Sequence, residues 1–281
     1  MNSSTLGLPM LESLPKPLRQ EQLESALQHY SQCLKGNVLQ SGPRQPLPIS
    51  TQDLCHAIDC EHIDEHYQPK VDIRTGLVRG MEVLARWTHP SLDRIPPDQL
   101  IALAEKEGLI FDLTLRVLRK SIRQAAAWVH MGFTPKLAIN LSPLLLDNPG
   151  IVQEITSLVE SSAISPSQAV LEITESAGVE QLGKVIAGLT RLRLKGFGLS
   201  IDDYGTGFSS MQQLARLPFS ELKIDSNLVH GAHQRRNLGV ILESALDMAK
   251  RLELVSMAEG IEAMEDWACC NAAVVPSARA T

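Results

Sequence analysis

Aromatic residues are scarce in this chain, at 4% of 281 residues, so its core has to be built from Leu, Ile, Val and Ala. The five cysteines, Cys33, Cys55, Cys60, Cys269 and Cys270, form no paired CxxC arrangement with zinc spacing. Their odd number and lack of a framework argue against a disulfide-stapled domain and fit a reducing cytosol. No apolar run reaches membrane-spanning length, which gives no reason to expect a membrane partner. The opening MNSSTLGLPM lacks the basic, then apolar, pattern of a secretory signal. Positive charge is also in short supply. The net charge of −6 argues against a broad surface for duplex nucleic acid, though not against a small anion held by metals.

What is present is ordinary globular material, 44% hydrophobic and 21% charged, enough for one large domain and part of another. In residues 1–37 the turn Leu14-Pro15-Lys16-Pro17 precedes Leu23, Leu27, Tyr30 and Leu34 at helical spacing. Residues 38–60 read as a linker and lead-in, with Gly42, Pro43, Pro46 and Pro48 as punctuation. From residue 61 onward, Val/Ile/Leu-rich runs alternate with amphipathic stretches. Leu115, Leu118, Ile122, Ala125 and Val129 make one helical stripe. The sets Ile151, Ile155, Leu158, Val159, then Leu182, Val185, Ile186, Leu189, Leu192, then Leu238, Ile241, Leu242, Ala245 make three more.

This alternation predicts a parallel sheet. Seven strands are expected: Tyr67–Val71, Gly80–Leu84, Leu137–Leu141, Val170–Thr174, Gly198–Asp202, Glu221–Ile224 and Leu254–Ala258. An eighth would close a TIM-like (β/α)8 barrel. The Ala-rich tail EAMEDWACCNAAVVPSARAT has no clear helix-strand-helix succession and is too short for a βα unit, so the barrel is expected to be incomplete at its C-terminus.

Polar residues stand at the ends of these apolar runs, where a strand buried on both faces has no use for charge. Glu82 lies in GMEVLARW, Asn140 in KLAINLSP and Glu172 in AVLEITES. Asp202 and Asp203 lie in SIDDYGTGFSS, Lys223 in ELKID and Glu259 in MAEGIE. The C-terminal strand ends of a βα barrel converge on one face, and several acids with a lysine there read as a metal site for a phosphate ester. An isolated acid at a strand end is usually a cap or turn residue, the expectation for Asp225. His62, His66 and His89 read as surface or packing residues, and Cys269-Cys270 as incidental.

The motifs YQPKVDIRTG, EVLARW, NLSP, EITE, DDYGTGFSS, KID and AEGIE follow one another over residues 67–262. In order and spacing they resemble the EAL-domain phosphodiesterases, which hydrolyse cyclic di-GMP to linear pGpG in bacterial second-messenger signalling. The segment LPKPLRQEQLESAL resembles the end of a receiver domain. With it, the chain resembles a receiver–EAL response regulator truncated at both ends, with a sensor kinase as partner if a full receiver exists. A free N-terminal helix is the alternative for residues 1–37.

The resemblance implies roles. Glu82, Asn140, Glu172, Asp202 and Asp203 would ligate two Mg²⁺ or Mn²⁺ ions, with Glu259 serving the second metal or its water. Lys223 would orient the nucleophilic water, which places Glu82, Lys223 and Glu259 in the catalytic set. Gln68 and Arg86 would hold the dinucleotide, and Glu175 would brace the loop Asp203–Ser210. Val83 and Tyr204 stand where the family usually has Ala and Phe, and the Gln-Gly-Tyr of its eighth strand has no counterpart. Open edges would then favour aggregation or a homodimer. The alternative to an enzyme is an inactive cyclic di-GMP-binding or protein-interaction module.

Overall fold

The computed structural model describes residues 49–60, 62–148, 150–174, 182–206 and 214–273. The chain divides after Pro48, and the unit Ile49–Thr281 carries the fold. It opens on helix α1, Thr51–Asp59. Ser50 caps it reciprocally: Asp53 N–H donates to Ser50 Oγ (3.1 Å) and Ser50 N–H donates to Asp53 Oδ2 (3.0 Å). Leu54, Ala57 and Ile58 form its buried face.

The strands are β1 (Ile63–Val71), β2 (Val78–His89), β3 (Asp93–Ile95), β4 (Lys136–Asn140), β5 (Ala169–Thr174), β6 (Gly198–Tyr204), β7 (Glu221–Ile224) and β8 (Val255–Ala258). They form one curled sheet in the order β1-β2-β4-β5-β6-β7-β8, with β3 pairing β2 off this path. The connecting helices are α2 (Pro97–Lys106), α3 (Ile110–His130), α4 (Ile151–Glu160), α5 (Leu182–Leu194) and α6 (Arg236–Arg251). Seven strands of a (β/α)8 barrel are thus in place. Among the described residues, β1 and β8 are the ends of the order and are not paired to each other.

All seven expected strands are present, several with longer or shifted bounds, but the first does not join as a parallel neighbour. β1 runs antiparallel to β2, with Gln68 opposite Glu82 and Lys70 opposite Gly80. The reason lies in the connection. A parallel pairing needs a crossover of a dozen residues or more, whereas only Asp72–Leu77 separates these strands. Asp72 closes that turn by accepting hydrogen bonds from Arg74 N–H (3.1 Å), Thr75 N–H (2.9 Å) and Thr75 Oγ1 (3.0 Å). From β2 through β4 to β8 the pairing is parallel, as expected. β3, a three-residue edge on β2, is too short to carry an alternation that would announce it.

The tail carries one helix and, among the described residues, no eighth barrel strand, in keeping with an incomplete barrel. Residues Met264–Ala273 form a helix, α7. Cys270 is buried on it, and so is Asp266, which accepts from Gly231 N–H (3.1 Å) and lies 3.0 Å from His233 Nδ1. Alanine favours helix without needing a strong apolar stripe, which is why periodicity missed it.

Apolar residues of the helical stripes, Leu115, Leu118, Ile122, Ile151, Ile155, Leu189, Leu192 and Leu242 among them, are buried. Neighbouring strand residues point to opposite faces. In β7, Leu222 and Ile224 alternate with Glu221 and Lys223, yet all four are buried. One face meets helices and the other meets the barrel interior, and that interior is where the polar side chains gather.

Candidate active site

Lys223 is the hub. It is 1% exposed, and its Nζ lies 2.7 Å from Glu259, 2.9 Å from Asp202 and 3.3 Å from both Glu82 and Glu172. Those carboxylates come from β2, β5, β6 and the residue after β8, so the sheet must curl for them to meet. Burial alone would push the Lys223 ammonium down; Glu172, Asp202, Glu82 and Glu259 outweigh it and hold its pKa above the ordinary lysine value. Lys223 is therefore a fixed cation at neutral pH.

Glu172 is equally buried, at 1% exposure. Burial raises its pKa, opposed by Lys70 and Lys223. Burial likewise raises that of Glu259, with Lys223 opposing. Lys70 was not singled out in the sequence. Its Nζ donates to Glu172 Oε1 across the barrel interior, while Lys223 takes Oε2. The available signal was its position two residues after Gln68, hence on the same face of β1.

Asp202 and Asp203 are adjacent, so in a regular strand they would face opposite ways. Asp203 instead has φ 57°, and the β6–β7 register shifts between Ile201 and Tyr204. Its N–H donates to Asp202 Oδ1 (3.0 Å). As a result Asp202, Asp203 and Glu259 each present an oxygen within 4.8 Å of the others. Two glycines permit the tight turns that follow. Gly205 has φ 107°, and a Cβ there would lie 2.3 Å from Leu228 Cδ1. Gly260 has φ 65°, and a Cβ would meet that of Ser226 at 2.5 Å.

The remaining expected residues sit around this centre. Asn140 ends β4 directly opposite Glu172 in the ladder and is exposed. Gln68 is exposed on β1, opposite Glu82. Arg86 is half-buried four residues beyond Glu82 on the same face of β2, with Nη1 donating to Ala85 O (3.0 Å). Glu175 and the loop beyond Thr206 lie outside the described residues. Val83 is buried on the face opposite Glu82. Asp225 proves to be a cap, accepting from Asn227 N–H (2.9 Å).

Five carboxylates, Glu82, Glu172, Asp202, Asp203 and Glu259, thus share the site with two ammonium groups, Lys223 and Lys70. The excess negative charge and the oxygen-only donors fit a hard divalent cation at Asp202, Asp203 and Glu259.

Against known proteins, the sequence matches the EAL domain over residues 51–277. The chain belongs to the EAL domain family. It is 36% identical over 211 residues to the bifunctional diguanylate cyclase/cyclic di-GMP phosphodiesterase MucR of Pseudomonas aeruginosa, covering 75% of this chain and 31% of MucR. It is 31% identical over 264 residues to the cyclic di-GMP phosphodiesterase RocR of the same organism, covering 92% of this chain and 66% of RocR. This EAL chain therefore spans from about a third to about two thirds of the length of these relatives. The solved PaMucR phosphodiesterase in complex with c-di-GMP superposes with a TM-score of 0.73 at 34% identity, covering 79% of this chain and 90% of that one. No helix among the described residues is long and apolar enough to cross a membrane.

Proposed function

We propose that this EAL domain is a metal-dependent phosphodiesterase that hydrolyses cyclic di-GMP to linear pGpG. The observation that carries the reading is the ring of Glu82, Glu172, Asp202 and Glu259 around Lys223, with Asp203 completing a three-oxygen cluster. Relatives that bear cyclic di-GMP phosphodiesterase names support the substrate.

Asp202, Asp203 and Glu259 would hold one divalent cation, with Glu82, Glu172 and Asn140 as further oxygen donors; Mg²⁺ and Mn²⁺ both suit such a set. When bound, such ions supply a lowered pKa for water and charge stabilisation for the attacked phosphodiester. The protein's own residues do the rest. Lys223 holds its proton at Nζ and acts as a fixed positive donor toward negative charge that develops in the transition state. Gln68, exposed on β1, and Arg86, further along β2, would orient the dinucleotide, Arg86 through a phosphate. Glu172 and Asp202 are buried and Glu82, Asp203 and Glu259 half-buried, which keeps bulk water from most of the ring and strengthens each of these interactions.

The direct test is incubation of the purified chain with cyclic di-GMP and Mg²⁺ or Mn²⁺, with chromatography for pGpG. Product should form, should vanish with EDTA, and should fall by orders of magnitude in Glu82→Ala. A folded chain that binds the dinucleotide and forms no product would leave the second reading, an inactive cyclic di-GMP-binding or protein-interaction module. That reading draws on the unpaired ends of the sheet at β1 and β8 among the described residues.

A further inference from the structure

Glu172 has two carboxylate oxygens, and a lysine holds each. Lys223 Nζ stands 3.3 Å from Oε2, and Lys70 Nζ stands 2.5 Å from Oε1. The carboxylate is 1% exposed and the Lys70 side chain 10%, so water competes poorly for either bond. The two lysines are not equivalent. Lys223 is shared among four carboxylates, whereas its pairing with Glu172 is the single ion pair Lys70 makes among the described residues. Lys70 also comes from β1, the one antiparallel strand on the main path and an end of the sheet, while Lys223 comes from the interior strand β7.

We infer that Lys70 is a resident counterion of the metal-binding carboxylates: it occupies the Glu172 oxygen that a divalent cation would take, and it sets the concentration at which the site loads. The inference rests on the proposed function, since it takes Glu172 to be a ligand. The physics has two parts. A buried carboxylate with no cation beside it is strongly disfavoured, so Lys70 stabilises the chain while metal is absent. The same ammonium repels an arriving cation and must give up its hydrogen bond before Oε1 can serve as a ligand. Lys70 therefore trades metal affinity for stability of the metal-free form.

Lys70→Met keeps the side chain's length up to the ammonium nitrogen and removes the charge. Titration of Mn²⁺ into the EDTA-stripped chain, followed by calorimetry, should give half-saturation at about tenfold lower Mn²⁺ than in the parent. In EDTA the variant should melt below the parent, and the gap between its stripped and Mn²⁺-saturated melting temperatures should widen. A purely structural lysine would lower both melting temperatures together and leave half-saturation unchanged, which overturns the inference. Weaker Mn²⁺ binding in the variant also overturns it, because Lys70 would then be positioning Glu172 as a ligand. If Lys70→Met does not fold, Lys70→Gln, which retains a donor for Oε1, is measured with the same expectations. A parent chain that binds no Mn²⁺ at all brings down the proposed function and this inference with it; a parent that binds, with a variant indistinguishable from it, brings down the inference alone.

Discussion

β7 and β8 are neighbours in the same parallel ladder, with Lys223 opposite Met257, yet they live in different surroundings. Every residue of β7 is buried, whereas Val255 opens β8 at 52% exposure and the rest of that strand is half-buried. β7 is paired on both edges and β8, among the described residues, on one. Both contribute to the site. The candidate centre thus has an anchored half, Glu172, Asp202, Asp203 and Lys223 on β5 to β7, and a peripheral half, Lys70 on β1 and Glu259 after β8. The anchored half fixes geometry and permanent charge. The peripheral half sits on the two ends of the strand order, where local opening to admit an ion or a substrate would disrupt the fewest strand pairings. Val71, at the far end of the order, is 43% exposed and repeats the pattern of β8.

Removing the hub should have the largest consequence. Lys223→Ala leaves Glu172 and Asp202 buried without their shared cation, a change worth on the order of 3–5 kcal/mol against the metal-free fold. In the presence of saturating metal, which replaces the missing charge, kcat should fall by about 10²–10³ while KM changes little. Steady-state kinetics decide the role: an unchanged kcat with a raised KM would move Lys223 from catalysis to binding.

A matched pair of truncations tests the comparison between strands directly. Leu222→Ala in β7 should cost about 2–5 kcal/mol, the usual range for a fully buried leucine. Val255→Ala in β8 should cost less than about 1 kcal/mol, because the side chain is already half in water. Urea unfolding of both variants gives the two values. Equal costs would mean that β8 is covered in solution, and the anchored and peripheral halves would no longer be distinct.

Much of this arrangement was legible in the sequence because charge in an apolar run is conspicuous. Glu82, Glu172, Asp202 and Lys223 each interrupt a strand and Glu259 directly follows one, and the four acids meet at Lys223. The helical stripes were legible through their period. What escaped was geometry without a pattern signature. The antiparallel turn at Asp72 depends on connection length, and the bulge that brings Asp203 beside Asp202 depends on one left-handed residue that is not glycine. Lys70 escaped because a lysine on an end strand reads as solvated; only the curl of the sheet brings it to Glu172.

The smallest expected effect concerns the outer side of β1. Glu65 lies between β1 and α3, with Lys120 Nζ 3.1 Å from Oε2, while Oε1 is buried with no hydrogen-bond partner among the described residues. Burial raises its pKa above the ordinary 4.5, and Lys120 only partly offsets this. A carboxyl with a raised folded pKa binds its proton more tightly in the folded state. Its contribution is most favourable below about 4.5 and is lost as pH rises through the folded pKa. Glu65→Gln removes that dependence. Relative to the variant, the parent should therefore lose stability as pH rises from 4 toward neutrality and change no further above that. The difference should appear as a small shift in Tm whose direction with pH, rather than its size, decides the matter. Melting both proteins across pH gives the sign. A parent that gains on the variant as pH rises would mean that the ion pair with Lys120 outweighs burial, and that β1 is held to its helix by charge, as the interior strands are held to Lys223.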